Sequence, residues 1–305
     1  MKFYSRGKLL ISGEYLVLKG AKALMVPLLK GQSLNIKKAA GTGSLEWKSL
    51  EYGKEWFTAT FNTKLFEILN ASDEVIARRL QVILRKARNF NPVFCRKELS
   101  FSATTDLEFD RNWGFGSSST LIANIAQWAE VDSFLLHNQV ARGSGYDVVA
   151  ATLNQPAYFT LLDDTCSVEK VNFNPGFRDQ IYFIFLGRKQ DSAKVVDRFL
   201  KSKKQYRVEI RTISELSQHM AKAKTIGDFE FYLREHDTLM SALLKQPRLK
   251  DSRFNDLNGE IKPLGAWGGD FFLAASHEDP KAMKRWLAER GFSVVFSWRE
   301  LVLEG

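Results

Sequence analysis

Arg111-Asn112-Trp113-Gly114-Phe115-Gly116-Ser117-Ser118-Ser119-Thr120 is the stretch on which the interpretation of this chain turns. Gly114 and Gly116 let a backbone turn tightly or approach a ligand closely, and three serines then stand where a helix would begin. Residues 121–130 carry Leu121, Ile122, Ile125, Ala126, Trp128 and Ala129, a largely apolar surface that suits a helix buried behind the site it serves. The spacing therefore predicts a glycine-rich turn feeding a helix N-terminus. Orphan N–H groups and the helix dipole favour negative charge at such a place, so the segment reads as an anion cradle. A plain loop with a serine cap would use the same residues, and the rest of the chain has to decide between them.

Composition sets outer bounds. The chain has 305 residues, room for two ordinary domains or one large one, and its 45% hydrophobic content is that of a globular protein with a real core. Cys95 and Cys166 cannot make a disulfide framework and are not spaced as metal ligands, which points to a reducing, cytoplasmic setting. No apolar run approaches the length of a membrane span, so a soluble chain without a membrane partner is expected, as monomer or homodimer. The 44 Lys+Arg exceed the 35 Asp+Glu by nine, a balance that suits nucleic acid, an anionic substrate or simply a basic surface. No stripe of interleaved arginines and aromatics speaks for nucleic acid, and none is expected as a partner. The cluster of Lys201, Lys203, Lys204, Arg207 and Arg211 reads as a solvated helix face. His137, His219, His236 and His277 form no ligand pair, which disfavours a histidine metal site.

Periodicity gives a β-rich start and a mostly helical second half. Strands are expected over 2–12, 23–27 and 32–37, and over 44–50 and 55–61 as a hairpin around Tyr52-Gly53. Ser72 is expected to cap a helix over 73–90, followed by a strand over 98–103. Helices over 117–130 and 133–142 come next. Gly143-Ser144-Gly145 then interrupts before a helical pattern from Tyr146 that puts Asp147 in a first turn. Strands over 157–162, 167–173 and 181–186 flank the Asn174-Pro175-Gly176 turn, the expected boundary between domains 1–174 and 175–305. Helical patterns run over 192–204, 208–224 and 228–245. A glycine-rich segment over 264–269, a strand over 271–275, a helix over 280–290 and a strand over 292–298 close the chain.

Three polar, glycine-bearing regions stand out: Arg6-Gly7-Lys8 with Gly13-Glu14-Tyr15, the 114–120 stretch with 143–147 behind it, and 262–270. Gly7-Lys8 lacks the partner glycine of a P-loop, and no Gly-x-Ser-x-Gly elbow occurs. In this order and at these separations the regions resemble the motifs of the GHMP superfamily of small-molecule kinases. Gly7-Lys8-Leu9-Leu10-Ile11-Ser12-Gly13-Glu14-Tyr15 is similar to the first motif, and Gly114-Phe115-Gly116-Ser117-Ser118-Ser119 to the phosphate-binding second. Gly143-Ser144-Gly145-Tyr146-Asp147-Val148 resembles the segment bearing the family's catalytic aspartate. Gly265-Ala266-Trp267-Gly268-Gly269-Asp270 resembles the third motif in its phosphomevalonate-kinase form.

The resemblance spans nearly the whole chain and implies an α+β fold of two domains. The N-terminal one would be like ribosomal protein S5 domain 2 and the C-terminal one ferredoxin-like, with ATP and acceptor bound between them. It implies that Gly114, Gly116, Ser117, Ser118 and Ser119 bind the phosphates of ATP, and that Ser117 and Ser118 help to hold Mg²⁺. Asp147 would orient the acceptor and take its proton, while Lys8 would stabilise developing negative charge and depress the pKa of Asp147. Glu14, Ser144, Gly145, Gly265, Ala266 and Gly268 are the implied acceptor contacts, and Lys19, Lys22, Arg142 and Arg188 are further cations that could meet an anionic acceptor. Two departures matter. Trp267 stands where the third motif usually has glycine, and residues 134–142 hold no acidic residue where mevalonate kinases carry a magnesium-binding Glu. The second favours a phosphorylated, phosphomevalonate-like acceptor over mevalonate. The first keeps open a protein of this fold that binds nucleotide or a partner without catalysis.

Overall fold

The computed structural model describes residues 1–305 apart from 42, 97, 188–196, 198–200, 202–204 and 266–269. Most of the helix expected over 192–204 lies outside the described residues, as do Arg188, Lys203, Lys204, Ala266, Trp267, Gly268 and Gly269. The elements run β1 (Lys2–Ser12), β2 (Ala23–Ala39), β3 (Ser44–Glu51), β4 (Lys54–Asn62), β5 (Ile68–Ala71), α1 (Glu74–Phe90), β6 (Ser100–Leu107), α2 (Ser117–Ala129), α3 (Ser133–Val140), α4 (Tyr146–Ala150), β7 (Ala157–Leu162), β8 (Thr165–Lys170) and β9 (Ile181–Phe185). There follow α5 (Arg207–Lys222), α6 (Ile226–Leu244), α7 (Leu249–Arg253), β10 (Gly259–Leu264), β11 (Phe271–Ser276), α8 (Pro280–Glu289), β12 (Val295–Ser297) and α9 (Trp298–Leu301).

Compactness divides the chain into two units, each discontinuous in sequence. The first comprises Met1–Gly7, Lys30–Arg111 and Phe115–Leu153; the second comprises Lys8–Leu29, Asn112–Gly114 and Asn154–Gly305.

In the first unit the strands lie in the order β5-β4-β3-β6-β2, with β1 also paired to β2. Tyr52 and Gly53 join β3 to β4 with φ of 52° and 74°, the left-handed pair that a tight hairpin turn requires. Every second residue then points inward, so that Leu45, Trp47, Phe57, Ala59 and Phe61 are buried. β3 pairs in parallel with β6, and the long crossover this demands contains α1. Asp73, not Ser72, caps that helix. Its Oδ1 accepts from the Val75 and Ile76 N–H groups at 2.8 and 3.0 Å, while the Ser72 hydroxyl is taken up by the backbone of Thr58. α2 is fixed to β1 and β2 by polar contacts unusual in a buried helix: Asn124, fully enclosed, accepts from Ser5 Oγ at 3.0 Å and donates to the Gln32 carbonyl at 2.9 Å.

The second unit is built on the antiparallel sheet β10-β11-β9-β12. Tyr182, Ile184, Phe272, Met283 and Leu287 belong to one core cluster, and α6 lies on β10 and β11. Residues 8–29 fold here too. Tyr15, Leu16 and Ala21 pack with Ile213, Leu216 and Met240, and the Ser12 hydroxyl bonds that of Ser217 at 2.7 Å.

β2 is one strand where the sequence suggests two. Gly31 does not break it because the backbone there stays extended: a side chain would run into the Ser5 carbonyl and the Tyr4 ring, so glycine serves close approach rather than a turn. Residues Ala23–Met25 of β2 pair with β7, and residues 32–39 pair with β6. β5, α7 and β10 carry no clear periodic signal. β10 is buried on both faces from Glu260 to Leu264, with its polar residues Glu260 and Lys262 held in ion pairs.

Candidate active site

The anion cradle is built from the helix start upward. Gly116 caps α2 at φ 94°, in the left-handed region that strains any other residue, and no side chain caps the helix. The first helical bond is Thr120 N–H to the Gly116 carbonyl, at 2.9 Å. The N–H groups of Ser117, Ser118 and Ser119 donate to no described group. Ser119 and Thr120 turn their hydroxyls back to the Gly116 carbonyl at 2.9 and 3.1 Å, whereas those of Ser117 and Ser118 bond nothing described; Ser117 is half-buried and Ser118 exposed. No acidic residue stands in the first turn to compete for this positive end. Phe115 anchors the loop from beneath, fully buried and edge-on to Phe109 at 5.6 Å.

Asp147 stands in the first turn of α4, directly after Ser144, Gly145 and Tyr146. Gly145 has φ 74°, and a Cβ there would lie 2.8 Å from the Phe134 ring and 3.3 Å from His137 Nδ1. That close packing brings His137 beside the aspartate, with Nε2 3.8 Å from Asp147 Oδ1, while the Asp147 side chain stays 33% exposed. Oδ1 also accepts from the Val148 N–H at 3.0 Å, which leaves Oδ2 clear of described protein donors. Ser144 is buried behind this turn.

In the second unit Lys8, from β1, donates to the Gly114 carbonyl at 2.8 Å. Gly114 is held at φ 70° with the Asp270 carboxylate where its side chain would be, and Gly265, at φ 74°, approaches that same carboxylate. Gly114 thus meets the first glycine segment through Lys8 and the third through Asp270. Trp113 pins the segment, edge-on to Phe271 at 6.2 Å and to Phe296 at 5.3 Å.

Glu14, expected among the acceptor contacts, is enclosed. It is 5% exposed and ion-paired to Lys262, itself 1% exposed, so an approaching acceptor meets neither of its oxygens. Burial pushes the Glu14 carboxyl up, against the opposing charge of Lys262. His236, wholly buried, lies 3.3 Å from the other Glu14 oxygen, and burial followed by the Lys262 charge pushes its imidazole well below the usual range. Next to it Asp237 is pushed up to about 7 by burial. Lys22 is engaged by Glu169 at 2.7 Å. His137, His236 and Lys262 were not among the expected site residues. Their only sequence signal is position beside a motif, because a lone buried histidine reads like any core residue.

Ser117, Ser118 and the three free amides fit phosphate oxygens by their chemistry. Among the described residues no three His, Cys, Asp or Glu side chains cluster as metal ligands; Ser117 and Ser118 are the hydroxyls that would offer oxygens to a magnesium ion beside bound phosphate. Nor is any helix among the described residues long and apolar enough to cross a membrane.

The chain has the mixed α+β, two-sheet fold of the GHMP small-molecule kinases over nearly its full length. The mevalonate kinase of Methanococcus jannaschii superposes with a TM-score of 0.71 at 16% identity, covering 99% of this chain and 98% of that one. The phosphomevalonate kinase of Streptococcus pneumoniae, solved in complex with phosphomevalonate and AMPPNP, gives 0.72 at 16% identity over 97% and 99% of the two chains. Lactococcus lactis galactokinase, complexed with galactose, gives 0.71 at 11% identity over 100% and 93%. Structural likeness at this level of identity establishes the fold alone. No protein-family model matches the sequence, and no curated protein matches it.

Proposed function

We propose that this protein is an ATP-dependent kinase that phosphorylates a small, anionic metabolite resembling phosphomevalonate or mevalonate, with 1–174 and 175–305 as its two functional domains. The observation that carries the proposal is the start of α2: three amides and two serine hydroxyls without described protein partners, behind a left-handed glycine, on the fold of proteins named as metabolite kinases. In this reading Gly114, Gly116 and the amides of Ser117–119 hold the nucleotide phosphates, and Ser117 and Ser118 offer oxygens to Mg²⁺, whose chemistry is to neutralise phosphate charge. Asp147 orients the acceptor hydroxyl or phosphate and receives any proton its oxygen carries as that oxygen bonds to the γ-phosphorus and the bond to the β–γ bridging oxygen breaks. His137, beside Asp147, keeps the carboxylate in place. Lys8, fixed by the Gly114 carbonyl, offsets negative charge on the transferred group. Ser144, Gly145 and Gly265, with Ala266 and Gly268, remain the proposed acceptor contacts; Glu14 is withdrawn from them because it is enclosed.

The test is ADP release from ATP and Mg²⁺ against a panel containing mevalonate, phosphomevalonate and galactose, alongside the thermal shift produced by ATP. Turnover with a panel member, lost in Asp147→Ala while the ATP shift persists, supports the proposal. An ATP shift without turnover on any member would instead favour nucleotide binding without catalysis, and no shift at all would refute both.

A further inference from the structure

Gly13-Glu14-Tyr15, the turn that ends β1, holds two residues in the left-handed region: Gly13 at φ 95° and Tyr15 at φ 61°. Gly13 lies against Ala23, with no room for a side chain, and Tyr15 is a bulky residue in a conformation that persists only where its surroundings dictate it. Those surroundings come from two later elements of the same unit. From β10, Lys262 Nζ pairs with Glu14 Oε1 and also donates to the Pro263 carbonyl at 3.1 Å. From α6, His236 Nε2 accepts the Gly13 N–H at 3.0 Å. A nitrogen that accepts carries no proton, so the geometry puts the imidazole proton on Nδ1, and a neutral ring agrees with its depressed pKa. Both clamping side chains are 1% exposed or less, and neither reaches a surface where a ligand could meet it. The strand they terminate is buried from Leu9 to Ser12 and carries Lys8 one residue earlier.

We propose that Lys262 and His236 are positioning residues: they clamp the Gly13-Glu14-Tyr15 turn from two sides and so hold Lys8 against the Gly114 carbonyl. That Lys8 then serves phosphoryl transfer rests on the function proposed above; the clamp itself does not. One side of the clamp is the Lys262 ion pair to the Glu14 carboxylate, and the other is the His236 ring, which takes the Gly13 N–H and lies 3.3 Å from the second Glu14 oxygen. Changing His236 alone releases the backbone hydrogen bond while the Lys262 pair stays in place.

The experiment follows hydrogen–deuterium exchange of the peptide spanning residues 8–16, together with kcat and KM for ATP using phosphomevalonate as acceptor. His236→Met removes the acceptor at nearly constant volume, whereas His236→Gln returns an oxygen to it. The expected result for His236→Met is exchange faster by about tenfold, the worth of one lost hydrogen bond, with kcat lower by a similar factor and KM for ATP within about twofold. His236→Gln restores exchange and kcat together, which a general loss of packing would not allow. Glu14→Gln/Lys262→Met, which releases the other side without leaving a lone charge, gives the same pattern and serves if His236→Met does not fold. Wild-type exchange in both altered proteins overturns the clamp. Faster exchange with unchanged kcat overturns the positioning role, as does His236→Gln behaving like His236→Met. If the unaltered protein does not convert phosphomevalonate, the failure belongs to the acceptor assignment, and exchange with its rescue by Gln still decides the clamp.

Discussion

Replacing Asp237 with Asn should stabilise this protein at neutral and alkaline pH and leave it little changed in acid. Asp237 is fully enclosed, and neither of its oxygens accepts a hydrogen bond; Arg248 Nε, 3.6 Å from Oδ2, is too distant. Burial raises its carboxyl from 3.8 to about 7, with Glu14 and Glu260 adding to the rise and the charges of Lys262 and Arg248 opposing it. The folded protein therefore holds a proton that the unfolded chain has released. A group raised in this way contributes its full stability below pH 4, loses it as pH climbs from 4 to 7, and contributes no more beyond that. At about 1.4 kcal/mol for each pH unit across that window, the loss reaches roughly 4 kcal/mol by pH 8. Asn does not titrate, so the difference between the two proteins should grow across this window and then level off. No cation is orphaned, because Arg248 keeps Glu260 and Asp251. Urea unfolding at half-unit intervals from pH 4 to 8 measures the difference directly. An advantage for Asn that stays flat with pH, or wild type gaining on Asn as pH rises, would refute the reasoning.

Further expectations concern the cradle and its neighbours. Lys262→Met leaves the Glu14 carboxylate buried without its partner and should cost about 3–5 kcal/mol at pH 7 in urea unfolding, less as pH falls because burial raises the Glu14 carboxyl, and much less in Glu14→Gln/Lys262→Met. Gly116→Ala forces a side chain into the left-handed region, costing about 1–2 kcal/mol, and should shrink the thermal shift produced by ATP more than Gly53→Ala, an open turn far along the chain from the cradle. Asp147→Ala and Lys8→Ala should each lower kcat by at least about a hundredfold with unfolding midpoints near wild type, as general-base and electrostatic roles require; near-normal turnover in both would sink those roles.

Where the fold could be read in the sequence, local chemistry was sufficient. The Tyr52-Gly53 hairpin, the helix beginning at Ser117 and the strand over Ala157–Leu162 each follow from turn residues or strict alternation. Asp73 displaced Ser72 as a cap because one carboxylate oxygen can take two N–H groups while the Ser72 hydroxyl was already claimed by β4, a partner that no local window contains. The same limit governed the site. Glycines and serines with backbone roles announce themselves in order along the chain, but the enclosure of Glu14 depends on Lys262, 248 residues away. β10 is short and buried on both faces, so its alternation carries little signal, and although residue 262 opens one of the glycine-bearing regions, its pairing with Glu14 cannot be read from a local window.

The placement of residues 8–29 in the second compact unit bears on the order in which this protein can be made. These residues leave the ribosome well before their partners: Ser12 must wait for Ser217, 205 positions later, and Glu14 longer still for Lys262. Leu16, which packs with Ile213, Leu216 and Met240, waits in the same way for its final neighbours, and long-range contacts of this kind form slowly while apolar surface stays exposed.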